Sequence, residues 1–240
     1  MLTRTEQCAN QLRGNILQGR FAPGEVLSQR QLARELGCSP IVVRESLRML
    51  ENQGLVENVP KWGTRIVPFD VDRLKGLFLV REALEGMAAR LVCSRRAAVD
   101  FAPLLTQAQA LDRLFAKPPA DAGQLATEHY VFHSAIDGLC GCTELVETLA
   151  RVNLQQLFLA STQLVDFARV RQPSRWHLQL VQALAGSDPE AAERAMREHV
   201  RKGLEDIAVA APPPPVAGRS GTTTSPTRRQ ALTPLVEAGS

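Results

Sequence analysis

The sequence predicts a mainly α chain. Three helices and a two-stranded hairpin are expected over residues 1–69, an antiparallel all-helical bundle over 70–209, and a disordered tail over 210–240. Three observations carry this reading. The first part is punctuated by turn residues at helical and then strand intervals. The second is rich in Leu, Ala and Arg at helical spacing, with few strand-like runs. The third opens with Pro212-Pro213-Pro214-Pro215 and continues GRSGTTTSPTRRQ, which holds almost nothing to bury.

From the N-terminus, Cys8, Leu12, Ile16 and Leu17 mark a helix over about Thr3–Gln18, stopped by Gly19. FAPGEVL reads as a loop around Pro23-Gly24. Ser28-x-x-Gln31 has the form of a capping box for a second helix, which points Leu32, Ala33 and Leu36 inward and ends at Gly37. Ser39 caps a third helix with Pro40 at its first position, where proline forfeits no hydrogen bond. That helix runs to about Asn52 and buries Val43, Leu47 and Leu50. LVENV and TRIVP then read as two short strands around a tip of Pro60, Lys61, Trp62 and Gly63. This succession is a winged helix-turn-helix: the second helix braces the third, and the third can enter a major groove with its first turn facing base edges. Arg44 projects from that turn, while Lys61 and Arg65 flank the wing tip, within reach of phosphate. A helical subdomain with a solvated basic face would show a similar charge pattern.

Composition narrows the classes. At 26.2 kDa, 45% hydrophobic and 22% charged, the chain has globular composition and length for one large domain or two small ones. It holds no apolar run long enough to span a membrane. Its first residues, MLTRTEQCANQLRGNI, lack the apolar core of a signal peptide, so a cytoplasmic, nucleoid-associated protein is expected. The five cysteines are too few and odd in number for a disulfide framework. Residues 1–70 hold nine basic against seven acidic side chains, a mild excess compatible with a phosphate-backbone partner.

The stretch APGEVLSQRQLARELGCSPIVVRESLRMLENQGLVENVPKWGTRIV resembles the N-terminal domain of the GntR family of bacterial transcription regulators. The resemblance rests on Pro23-Gly24, Leu32–Leu36, Gly37-Cys38-Ser39, Val43-Arg44-Glu45, Leu47, Leu50, Gly54-Leu55-Val56 and Gly63. It implies DNA contacts at Arg30, at Ser39 in the turn, at Arg44, and at Lys61, Trp62 and Gly63 in the wing. Where some members carry a guanine-reading arginine after the turn serine, this chain has Pro40, which implies a different operator base there. Glu45 reads as a fold residue pairing near the brace helix. VREALEGMAARL, HYVFHSAIDGLCGCTEL and WHLQLVQALAGSDPEAAERAMREHV resemble helices of the FCD domain of the FadR subfamily, with Asp188 capping the last helix before Pro189.

The chain holds only four histidines, and His129 and His133 lie one helical turn apart. By itself such a pair is as ordinary on a helix as it is suited to a metal ion. Many FCD domains bind a metal through one Asp and three His. The resemblance places those histidines at His133, His177 and His199 and puts His129 where the family has its aspartate. Four neutral imidazoles cancel none of an ion's charge and suit zinc or nickel better than magnesium or calcium. A small organic-acid effector would supply the missing charge, with Arg81 as a second anchor.

The sequence therefore reads as a homodimeric regulator, a repressor by family analogy, that binds double-stranded operator DNA and an organic acid at a metal site. Two alternatives stay open: a metal-dependent hydrolytic enzyme, or a DNA-binding regulator whose metal is purely structural. Against the first, HYVFH lacks the Glu of H-E-x-x-H, and neither a phosphate loop nor a G-x-S-x-G turn occurs.

Overall fold

The computed structural model describes residues 2–68, 71–117, 122–161, 175–210, Leu232 and Leu235. The chain forms two compact units, one of residues 1–69 with 213–240 and one of 70–212. Among the described residues no helix is long and apolar enough to cross a membrane.

In the first unit, α1 (Arg4–Leu17), α2 (Gln29–Leu36) and α3 (Pro40–Asn52) precede β1 (Val56–Val59) and β2 (Gly63–Ile66). Thr3 opens α1 with a full capping box: its side chain accepts from the Glu6 N–H, and the Glu6 carboxylate accepts the Thr3 N–H at 2.7 Å. Helix α1 buries Cys8, Ala9, Leu12 and Ile16 and packs on α3, where the Ser46 hydroxyl donates to Thr5 O at 2.9 Å. The box expected at Ser28 forms by half. Ser28 Oγ accepts the Gln31 N–H, but Gln31 Nε2 donates to Glu35 at 2.7 Å instead of reaching back. Gly37 closes α2 at φ 63°, a left-handed conformation that suits glycine, and Ser39 Oγ accepts the Val42 N–H to open α3.

Strands β1 and β2 pair antiparallel with Val56 opposite Ile66 and Glu57 opposite Arg65. The segment expected as a plain loop also joins this ribbon. Leu27 N–H donates to Thr64 O at 2.8 Å and Ile66 N–H to Glu25 O at 2.8 Å, so the free edge of β2 is covered. At the tip the Trp62 N–H donates to Val59 O at 3.0 Å, with Pro60 first and Lys61 second of the two central turn residues. Lys61 takes φ 69°, the positive value that the second central residue of a type II turn requires.

Of the C-terminal stretch, the two described residues both meet this unit. Leu232 is buried, and the Leu235 N–H donates to Leu36 O at 2.9 Å at the end of α2. Arg4 Nη2 lies 3.5 Å from both Gly37 O and Leu235 O. Leu232 is thus an apolar residue that is buried within a stretch expected to hold almost nothing to bury.

The second unit is helical among its described residues: α4 (Val71–Ser94), a 3-10 turn at Arg96–Ala98, α5 (Ala102–Ala116), α6 (Ala122–Gly138), α7 (Thr143–Ser161), α8 (Trp176–Ala185) and α9 (Pro189–Ala210). Helix α4 runs along α9, α6 along α7, and α5 against α6 and α8. The α4–α9 approach is close at Gly86, where a Cβ would meet Arg197 Cγ at 2.8 Å. Ion pairs Arg90–Glu193 at 3.1 Å and Arg201–Glu82 tie the same two helices. Asp188 Oδ1 accepts the N–H groups of Glu190 and Ala191 and so caps α9.

Candidate metal centre and candidate nucleic-acid interface

The four histidines come from three helices, His129 and His133 from α6, His177 from α8 and His199 from α9, and their rings cluster inside the second unit. His129 Nε2 and His133 Nε2 are 3.2 Å apart. Two nitrogens bound tetrahedrally to one zinc at about 2.0–2.1 Å would sit about 3.3 Å apart, so the pair has the spacing of shared ligands. His129, His133 and His199 can each offer a nitrogen with all three within 4.8 Å of one another. His177 is outside that set. Its ring centroid is nevertheless 5.0 Å from that of His199, and its Nε2 is buried without a partner, as is His199 Nδ1. Buried ring nitrogens without partners are costly unless something binds them, and this donor set fits a nitrogen-loving divalent ion.

Two carboxylates stand behind the rings. Glu85 Oε2 lies 2.7 Å from His133 Nδ1, while Glu85 Oε1 pairs with Arg81 Nη2 at 2.8 Å. Asp112, from α5, lies 2.7 Å from His177 Nδ1 and also accepts the backbone N–H groups of His177 and Leu178. Helix α8 has no side-chain cap of its own at Arg175, so Asp112 caps it from across the bundle and orients His177 in the same contact. With the proton of His177 held on Nδ1, Nε2 is left as a lone pair.

Burial sets the charge states. It pushes His129 and His199 well below the ordinary imidazole value, and the neighbouring imidazoles push the same way. Burial lowers His177 too, although Asp112 opposes it. Neutral rings are the form that binds metal. Burial alone would raise Glu85 and Asp112. The Arg81 guanidinium and the hydrogen-bonding His133 ring outweigh it at Glu85, and hydrogen bonds from His177 outweigh it at Asp112, so both carboxyls titrate below their usual range. One turn on from His133, Asp137 is pushed up to about 8, first by burial and then by Glu85, and it accepts a hydrogen bond from Asn153 at 3.0 Å.

Arg81, a sequence-predicted effector anchor, is 2% exposed, stacks over Phe78 and is engaged by Glu85. Sequence reading named all four histidines but missed Asp112 as their partner. A lone acid on the border of an apolar helix face carries no signal that it meets a histidine 65 residues on.

In the first unit, Arg30, Ser39 and Arg44 are exposed, Arg30 on α2 and the other two at the start of α3. Arg30, Ala33, Arg34, Gly37, Ser39 and Pro40 line one open groove between the two helices. Lys61, Trp62 and Gly63 are exposed at the wing tip, Trp62 by 74%. One side chain is placed otherwise than expected. Glu45 pairs with Arg48 at 3.1 Å and Arg44 at 3.5 Å on its own helix, not with the brace helix, because the two arginines lie within one turn of it. Arg65 is tied across the ribbon to Glu57 at 2.6 Å.

Comparison with known proteins follows the same division. The family described as bacterial regulatory proteins, gntR family, matches residues 4–66, and the FCD domain matches residues 76–202. An uncharacterized HTH-type transcriptional regulator of Bacillus subtilis, YdhC, is 24% identical over 84% of this chain and 89% of its own. A probable D-xylose utilization operon transcriptional repressor of Paenarthrobacter nicotinovorans is 27% identical over 83% and 88%. Among solved structures, Escherichia coli McbR/YncC shares the fold with a TM-score of 0.72 at 22% identity, over 87% of this chain and 99% of that one.

Proposed function

The chain belongs to the gntR family of bacterial regulatory proteins, with an FCD domain after its winged helix-turn-helix; it is a transcriptional regulator and not an enzyme, and we propose that it is a FadR-type repressor switched by a small organic acid. The observation that carries the switch is the histidine cluster, with three ligand nitrogens within 4.8 Å of one another and carboxylates behind two of the four rings. His129, His133 and His199, with His177 beside them, would hold a zinc or nickel ion. Such an ion supplies a Lewis-acidic position for a carboxylate ligand. Arg81 and Glu85 set the charge beneath His133. Asp137 and Asn153 each keep one buried oxygen without a partner, which a polar ligand could use.

On DNA, Arg44 and Ser39 face the major groove, Arg30 meets phosphate, and Lys61, Trp62 and Gly63 follow the backbone or minor groove. A homodimer reads two half-sites of a pseudo-palindrome. The apolar stripe of Leu79, Val80 and Met87 on α4, exposed in the single chain, supports a second copy covering it. Effector binding shifts the population between arrangements of the two reading heads, by as much as its affinity for them differs.

The test is a selection of operator duplexes from a random pool with the full chain. Binding curves then follow for wild type and Arg44→Ala, with and without di- and hydroxycarboxylic acids. Enrichment of a pseudo-palindrome, loss of binding in Arg44→Ala, and release by an acid only from metal-loaded protein are expected. Equal acid binding to metal-stripped protein would reduce the metal to a structural tie between helices. In that case elemental analysis would still find about one ion per chain, lost in His133→Ala.

A further inference from the structure

Resting on the operator-binding reading, we propose that Ile41, seated beside Pro40, reads the 5-methyl group of a thymine in the operator and so fixes an A·T pair in each half-site.

The first turn of α3 is the part of this chain that would face base edges, and its outward chemistry is unusual for that task. Ser39 has its hydroxyl engaged as the cap, accepting the Val42 N–H at 3.3 Å. Pro40 has no side-chain donor or acceptor and lacks a backbone N–H. Ile41 is 63% exposed, although other aliphatic side chains of α3, Val43, Leu47 and Leu50, are buried in the core. Arg44, three residues on, shares the exposed face and pairs with Glu45 at 3.5 Å. Between the Ser39 cap and Arg44, then, the exposed side chains, Pro40 and Ile41, are carbon.

Carbon against a base edge selects strongly in the major groove. Guanine and adenine present N7 with O6 or N6, and cytosine presents its amino group. Each of these would lose its water to an aliphatic side chain that returns no hydrogen bond, which is unfavourable. The thymine 5-methyl is the one apolar group on any major-groove edge, and it gains by the same burial. A branched side chain with few rotamers is suited to hold such a contact. Pro40 and Ile41 offer guanine no side-chain donor, so the preference falls to thymine.

The contact is testable atom by atom, because replacing thymine by uracil removes the methyl and leaves every hydrogen-bonding group in place. Operator duplexes recovered with the full chain would be remade with one thymine at a time replaced by uracil, and binding measured for wild type, Ile41→Val and Ile41→Ala. One thymine per half-site should show weakening of about fourfold on loss of its methyl, the size expected for one buried methyl group. Ile41→Val should keep that sensitivity. Ile41→Ala should still bind but bind the thymine and uracil duplexes equally. No uracil effect at any position, or an effect that persists in Ile41→Ala, overturns the assignment. A wild-type chain that enriches no sequence overturns the operator-binding reading itself, and the Ile41 assignment with it. Since Ile41 is exposed, unchanged melting temperatures would exclude misfolding as the cause.

Discussion

At the scale of single residues, the chemistry of the second unit depends on the carboxylates that stand behind His133 and His177. Asp112 is the clearest case, since one carboxylate both caps α8 and holds His177 Nδ1. Asp112→Asn keeps one acceptor oxygen at the start of α8, turns the other into a donor and removes the charge. We expect it to lower zinc affinity by about 10- to 100-fold, read by competition with a chromophoric chelator, while the helix content stays the same. Asp137 offers a second test. Its carboxyl is raised to about 8, so the folded chain keeps this proton at pH values where an unfolded chain has lost it. Between about pH 4 and 8 the native state therefore binds the extra proton, and this group's contribution to stability falls as pH rises through that window. Asp137→Asn removes the ionisation. In metal-free protein its melting temperature should match wild type near pH 4 and exceed it near pH 8; parallel curves would contradict the assignment. The four histidines were legible in the sequence because rarity and spacing mark them. Asp112 and Glu85 act across helix pairs, and no periodicity in a single chain records which acid meets which ring.

At the scale of elements, legibility followed the locality of the forces. Helix ends set by Gly37, Ser39 and Pro40 are fixed by neighbours a few residues away, and α3 spans Pro40–Asn52 as its pattern predicts. Contacts with distant partners were not legible in the same way. FAPGEVL is the loop that its Pro23-Gly24 turn signal indicates, but Val26 also bridges to Arg65, with Leu27 donating to Thr64 and Ile66 to Glu25, and no local pattern records those bonds. Leu232 is the extreme example, an apolar residue beyond a Pro- and Thr-rich stretch that is nonetheless buried with the first unit. Burying a leucine side chain stabilises by roughly 1.5–3 kcal/mol. Leu232→Asp should therefore lower the stability of the winged unit by about that amount, measured by denaturant unfolding of the full chain. Leu232→Met should be nearly neutral. If Leu232→Asp unfolds at the wild-type midpoint, the contact contributes nothing in solution.

At the scale of the whole molecule, the proposed function asks two reading heads to act as one. A single winged unit with a handful of basic contacts binds weakly at physiological salt, and joining two of them raises affinity through effective concentration without any new contact. In that proposal the exposed stripe on α4 would be the joint: Leu79, Val80 and Met87 follow helical spacing on a helix whose other face packs on α9. A charge placed in such a stripe costs little in the monomer, where it meets water, and a great deal in the dimer, where it would be buried without a partner. Leu79→Glu with Met87→Glu should accordingly sediment as a monomer with unchanged helix content and zinc stoichiometry. Its affinity for the full pseudo-palindrome should fall to about that of the wild type for a single half-site, since only one head can then engage. The organic acid should still bind this variant but should no longer alter its DNA affinity, because a lone head has no spacing to change. An acid effect that survives in the monomer would place the switch inside one chain, and the two-headed mechanism would have to be abandoned.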